Sequence, residues 1–138
     1  MSPANYLLDT GPLVALVFKN DEMHERAKSI FSALEGNLLT CEPVLTEAAF
    51  LIRKAGREVQ QDLLQLAIQE FYKVDFRLAE NWSEIINLMG KYHDQPISLA
   101  DACLIRMAEI HNQPQIITFD SDFEIYRWGR RRKFQILT

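Results

Sequence analysis

The segment Tyr6-Leu7-Leu8-Asp9-Thr10-Gly11-Pro12 decides how the chain begins to fold. Three successive apolar side chains without polar alternation suit a strand buried on both faces, as the strands of parallel sheets are. The run stops on an acidic residue, and Thr10-Gly11-Pro12 turns the chain into a short helix reaching Phe18. Near the other end, Ile116-Ile117-Thr118-Phe119 repeats the pattern and again stops on an aspartate, Asp120.

Between these segments, strand and helix patterns alternate. Glu22 to Leu34 places Ala27, Ile30, Phe31 and Leu34 on one face, and Gly36 is expected to cap that helix at its carboxyl end. Leu38 to Cys41 reads as a second strand. Pro43 opens a helix running to about Ala55, Gly56 breaks it, and another helix continues to about Phe71. Tyr72 to Phe76 is expected as a short strand. Leu78 to Lys91 follows as a helix with Trp82, Ile85, Ile86 and Met89 at core spacing. After a loop through Asp94 and Pro96, Ser98 to His111 is the strongest helical pattern, and Phe134 to Leu137 is a last strand. This alternation predicts an α/β fold with a mainly parallel central sheet, in one domain spanning residues 1–138. Ligands of such sheets bind outside the carboxyl ends of the strands, so Asp9 and Asp120 are expected at the same edge.

Composition narrows the function. The 138 residues are 48% hydrophobic and 25% charged, the balance of an ordinary soluble domain. No apolar run approaches the roughly 20 residues of a membrane span. Met1-Ser2-Pro3-Ala4-Asn5 has neither the basic start nor the apolar stretch of a signal peptide, so a cytoplasmic location is expected. Cys41 and Cys103 form no C-x-x-C pair and are expected to stay reduced as small core hydrophobes. His24, His93 and His111 are scattered, which leaves zinc-hydrolase chemistry without support. The net charge is −4, yet five of the 15 basic residues lie between Arg127 and Lys133. The rest of the chain is therefore strongly acidic. That argues against gripping nucleic acid by bulk charge, but not against a nuclease in which bound cations offset the acids.

Four carboxylates stand where such a site would need them. Asp9 and Asp120 end strands; Glu47 lies early in the third helix; Asp101 sits in the first turn of the strong helix. In-line hydrolysis of a phosphodiester needs charge stabilised on the attacking and leaving oxygens. Divalent cations supply this, and Mg²⁺ and Mn²⁺ prefer carboxylate and water oxygens. Each acid also has a local structural reading. Asp9 suits a turn, Ser98 with Asp101 resembles a capping box, Glu47 suits a solvated helix face, and Asp120 with Asp122 suits a helix start. The case for a site rests on all four together, each flanked by apolar residues.

Leu7-Leu8-Asp9-Thr10-Gly11-Pro12-Leu13-Val14-Ala15-Leu16, Thr46-Glu47, Leu99-Ala100-Asp101-Ala102 and Thr118-Phe119-Asp120-Ser121-Asp122-Phe123 stand in the order of the PIN-domain motifs. The chain resembles that family, and more closely the VapC-type toxins of bacterial and archaeal toxin–antitoxin modules. The resemblance implies a three-layer α/β/α sandwich and a Mg²⁺- or Mn²⁺-dependent endoribonuclease. It carries Asp9, Glu47, Asp101 and Asp120 over as the metal-binding quartet. Asp9 and Asp101 would be the most direct ligands, and Glu47 and Asp120 would act directly or through water. Asp122 is an alternative to Asp120, and Thr10 and Thr118 would orient carboxylates or waters. It further implies an RNA substrate, a small cognate antitoxin bound over the acidic cleft, and a homodimer. Gly11-Pro12 departs from the small polar and aliphatic pair of many relatives. Tyr92-His93-Asp94-Gln95-Pro96 resembles a subgroup with an additional aspartate, although a turn before Pro96 is the favoured reading of Asp94.

Arg127, Arg130, Arg131, Arg132 and Lys133 read either as contacts for RNA phosphates, with Trp128 as a stacking surface, or as a solvated tail. Two other functions fit parts of the pattern. An aspartate-nucleophile phosphatase would use Asp9, but its second aspartate would fall at Gly11. A binding module without catalysis, PIN-like or receiver-like, would in the receiver case want paired acids before Asp9, and Met1 to Leu8 has none.

Overall fold

The computed structural model describes residues 4–138. The expectation about a leader rests in part on residues 1–3, which lie outside the described residues. In chain order the elements are β1 (Asn5–Leu8), α1 (Thr10–Val17), α2 (His24–Ala33), β2 (Asn37–Thr40), α3 (Glu42–Leu51), α4 (Arg57–Ile68), β3 (Lys73–Val74), α5 (Trp82–Lys91), α6 (Leu99–His111), β4 (Gln115–Ile117), β5 (Arg127–Trp128), β6 (Arg132–Lys133) and β7 (Gln135–Leu137). Five strands form one parallel sheet in the order β3-β2-β1-β4-β7, flanked by helices as an α/β/α sandwich. Leu7 and Leu8 are adjacent in β1 and both fully buried, which is what a strand covered on both faces requires. No helix among the described residues is long and apolar enough to cross a membrane.

The strand order has a direct consequence. Receiver-like sheets run 2-1-3-4-5, with a single strand beyond strand 1 on one side, whereas this sheet runs β3-β2-β1-β4-β7, with two strands on each side of β1. The receiver-like alternative is thereby removed. The order reverses between β1 and β4, where Leu8 is in register with Ile117. A crevice opens at such a point because the connections from neighbouring strands leave to opposite faces.

The structure corrects several local expectations. The patterned stretch from Leu78 to Lys91 divides into a 3-10 turn at Leu78–Glu80 and α5. Only Ile85 and Leu88 of α5 are buried, while Trp82, Ile86 and Met89 are exposed. The helix carries two apolar stripes, and only one finds α6. Gly36 does not cap α2, which ends at Ala33 with Leu34 extended. Its φ of 146° and the collision of any Cβ with the Ala4 carbonyl oxygen explain the glycine instead. The fourth helix stops at Ile68 rather than Phe71, and the strand expected from Tyr72 to Phe76 shrinks to Lys73–Val74. The antiparallel hairpin β5–β6 was not foreseen. Cys41 and Cys103 are free thiols and fully buried, as expected of core residues.

Candidate metal centre

Asp9, Asp101 and Asp120 each contribute a carboxylate oxygen to a group lying within 4.8 Å of one another. Asp9 follows β1, Asp120 follows β4, and Asp101 enters from the first turn of α6. The cluster sits at the reversal of strand order.

Each carboxylate begins a helical segment. Asp9 is the N-cap of α1 and accepts from the Thr10 amide at 2.8 Å. Asp101 closes a capping box with Ser98: its amide donates to Ser98 Oγ at 3.0 Å, and Oδ2 faces the Ser98 amide at 3.5 Å. Asp120 caps a 3-10 turn by accepting from the Asp122 amide at 2.9 Å. The local readings and the site reading therefore describe the same atoms. Helix N-termini carry partial positive charge, so these positions tolerate carboxylates that would otherwise repel one another.

Two threonines tie the acids together. Thr118, fully buried, donates Oγ1–H to Asp9 Oδ2 at 2.6 Å and accepts from the Asp120 amide at 2.9 Å. Thr10 donates Oγ1–H to Glu47 Oε2 at 3.1 Å. Glu47 is half-buried on α3 and stands outside the group of three, joined to it through Thr10. Asp122 is not among the converging carboxylates, and Asp94 is exposed in the turn before Pro96. None of the three histidines joins the cluster: His24 Nδ1 lies 2.7 Å from the Ala15 carbonyl, His111 faces Asp75 at 3.7 Å, and His93 is exposed.

The sequence reading missed Tyr126. Its ring is fully buried between Tyr92 and Phe123, edge to face at 5.1 Å from each. Its hydroxyl donates to Asp101 Oδ2 at 3.0 Å. Nothing in the local sequence separates Tyr126 from an ordinary core aromatic, because its partner lies 25 residues away.

Electrostatics make the cluster a candidate cation site. Burial lifts the Asp9 carboxyl from 3.8 to about 6. Thr118 and Thr10 pull it down, and Asp101 and Asp120 push it further up. Burial likewise raises Asp101, against the bonds from Tyr126 and Ser98 and with repulsion from Asp120. Hard oxygen donors brought together in a desolvated crevice fit a hard divalent cation, whose charge would remove the repulsion. Cysteine and histidine ligands suited to softer metals are absent from the group.

The sequence pattern of the PIN domain matches residues 6–129. The chain belongs to the PIN-domain family. No curated protein sequence is significantly similar to it. Solved structures that share its fold include two toxin–antitoxin proteins. VapC20 of Mycobacterium tuberculosis, described as a toxin that cleaves the sarcin-ricin loop, is 20% identical, with a TM-score of 0.82 over 92% of this chain and 98% of that one. VapBC2 of Rickettsia felis, solved on a DNA fragment of its promoter, is 16% identical, with a TM-score of 0.64 over 97% and 99% of the two chains. The expected PIN-like sandwich is thus the fold of this family member.

The basic segment is corrected in part. Trp128 is buried, donates Nε1–H to the Lys133 carbonyl and lies beneath the Arg132 guanidinium, so no face of it is open for stacking on a base. Arg127 Nη1 donates to the carbonyls of Glu124, Ile125 and Tyr126, closing the 3-10 turn after Asp120. It supports the fold of the segment that carries Tyr126.

Proposed function

We propose that this PIN-domain chain is a metal-dependent endoribonuclease, the toxin of a toxin–antitoxin module. The observation that carries the proposal is the meeting of Asp9, Asp101 and Asp120 at the point where the strand order reverses. The likeness to a sarcin-ricin-loop-cleaving toxin and to a toxin–antitoxin complex supports it. Asp9 and Asp101 would hold Mg²⁺ or Mn²⁺ most directly, with Asp120 completing the group. Bound there, the cation offsets charge on the attacking and leaving oxygens and makes water a better nucleophile. The chain's own residues prepare the site. Thr118 ties the Asp9 carboxylate to the Asp120 backbone, Tyr126 holds one oxygen of Asp101, and Thr10 links Glu47 to the group, from where Glu47 would act through bound water. In a test with purified protein, RNA cleavage should appear with Mg²⁺ or Mn²⁺ and vanish with EDTA. It should fall by roughly 100-fold or more in Asp101→Asn with the fold retained. Full activity of that variant would overturn the proposal.

The antitoxin is assigned to the groove beside Glu47. This cavity of about 570 Å³ is lined by Phe76, Leu78, Trp82 and Leu99 among apolar groups, and by Glu42 and Glu47 among acids. Trp82 and Leu99 are exposed, so the isolated chain leaves apolar surface next to negative charge. A segment with apolar anchors and a basic side chain would fit it and cover the carboxylates. Trp82→Glu should weaken antitoxin binding at least tenfold, since a charge would replace a central apolar anchor. Titration calorimetry against the gene-neighbour protein reads this out, and unchanged affinity would move the antitoxin elsewhere. Homodimerisation would draw on the second exposed apolar group, Phe50, Leu51, Leu64 and Ile68 of α3 and α4. A cytoplasmic site of action accords with an RNA substrate.

A further inference from the structure

The hairpin β5–β6 holds most of the basic cluster, and its position is fixed by α6. The Gly129 amide donates to Glu109 Oε2 at 3.0 Å, and Arg132 Nη1 donates to Asn112 Oδ1 at 2.9 Å. Both acceptors belong to the carboxyl end of α6, whereas Asp101 sits in its first turn. At 1.5 Å per residue, the hairpin tip is displaced about 12–16 Å along the helix from the carboxylate cluster. Of the five basic residues, Arg127 is engaged with backbone carbonyls and Arg132 with Asn112 and Trp128. Arg130, Arg131 and Lys133 are exposed, and no acidic side chain lies within ion-pair distance of them among the described residues. Glu109, the nearest acid named by these contacts, is engaged by Arg106 at 3.4 Å and by the Gly129 amide.

The turn carries a second signal. Arg131 has φ +64°, in the left-handed region that glycine or asparagine occupies at lower cost. A long cationic side chain held there is disfavoured by the backbone, which points to a use for the side chain. The rest of the chain is acidic, so this hairpin is where an extended polyanion would find positive charge.

We propose that Arg130, Arg131 and Lys133 form an RNA-anchoring site separate from the carboxylate cluster, so that the preferred substrate is an RNA whose backbone continues past the cleaved bond for the length of α6. This rests on the ribonuclease reading. Short single-stranded fragments would occupy the acidic site alone; a folded RNA with a stem beside the cut would reach both.

The test compares binding of a labelled stem-loop RNA and of its isolated loop tetranucleotide, in an Asp9→Asn background, at several salt concentrations. Arg130→Ala/Arg131→Ala/Lys133→Ala should lower stem-loop affinity about tenfold or more. It should also reduce the slope of log affinity against log salt by about 2–3, as loss of three phosphate contacts requires. The advantage of the stem-loop over the tetranucleotide should collapse. Arg131→Gly separates anchoring from folding. It relieves the left-handed residue, so Tm should not fall while RNA affinity does. Wild-type cleavage of the stem-loop, together with unchanged affinity and salt slope in the triple variant, would overturn the anchor and leave the ribonuclease reading standing. Absence of metal-dependent cleavage of any RNA by the wild type would overturn both.

Discussion

Asp9→Asn is expected to cut RNA cleavage severely and, in the metal-free protein at pH 7.5, to raise Tm. The two effects share one cause. Asp9 is buried, and its carboxyl is pushed up from 3.8 to about 6, mainly by burial. A raised carboxyl means that the folded state takes up a proton more readily than the unfolded chain. Stability from this group is therefore greatest below pH 4, falls as pH rises toward 6 and is level above that. Across a shift of that size the penalty at neutral pH amounts to about 3 kcal/mol at most. Asparagine removes the charge and keeps an oxygen for the Thr10 amide, so the metal-free variant should melt about 5 °C higher than wild type. A divalent cation reverses the order. It stabilises the ionised wild-type cluster, and Mn²⁺ should raise wild-type Tm at pH 7.5 but much less at pH 5, where protons compete for the same oxygens. Cleavage should fall roughly 100-fold or more, since a direct ligand is lost. Calorimetric melting with and without Mn²⁺ at the two pH values, together with a cleavage assay, checks all of this. A metal-free variant less stable than wild type at pH 7.5 would show that Asp9 is paid for by contacts other than those described.

Thr118→Val is expected to be the most damaging substitution that leaves every carboxylate in place. One hydroxyl serves two acids, donating to Asp9 at 2.6 Å and accepting from the Asp120 amide at 2.9 Å. Valine has nearly the same shape, so packing in this fully buried position should hold. What is lost is a hydrogen bond to a buried carboxylate, costing about 1.5–3 kcal/mol, and the link that sets the spacing of two cluster members. Mn²⁺ affinity and cleavage rate should both drop about 10–100-fold, the range seen when groups that orient metal ligands are removed. Serine keeps the hydroxyl and should restore most of both. If valine preserved metal affinity while lowering only Tm, Thr118 would be a core residue and nothing more.

Much of this protein was legible before any coordinates. Short apolar runs ending on aspartate placed Asp9 and Asp120 at one edge of a sheet, because burial on both faces and the turn chemistry of Asp-Thr-Gly-Pro are properties of a few consecutive residues. The Ser98–Asp101 capping box was legible for the same reason. The motifs in their order pointed to the family. The exposed stripe of α5 was misjudged. Apolar spacing says that a helix has an apolar face, not which of two such faces meets a partner, and Trp82, Ile86 and Met89 went unpaired because α6 covers only Ile85 and Leu88.

By itself the sequence determined most of the helices and the main strands, the family and the positions of carboxylates at strand ends and helix starts, since these follow from local burial, turns and caps. The tertiary structure alone decided that β1 and β4 lie side by side, that Glu47 stands back behind Thr10, that Tyr126 reaches Asp101, and that the basic hairpin sits at the far end of α6. Those outcomes depend on which distant surfaces pair in the core, and pairing of that range leaves no mark on any one stretch of chain.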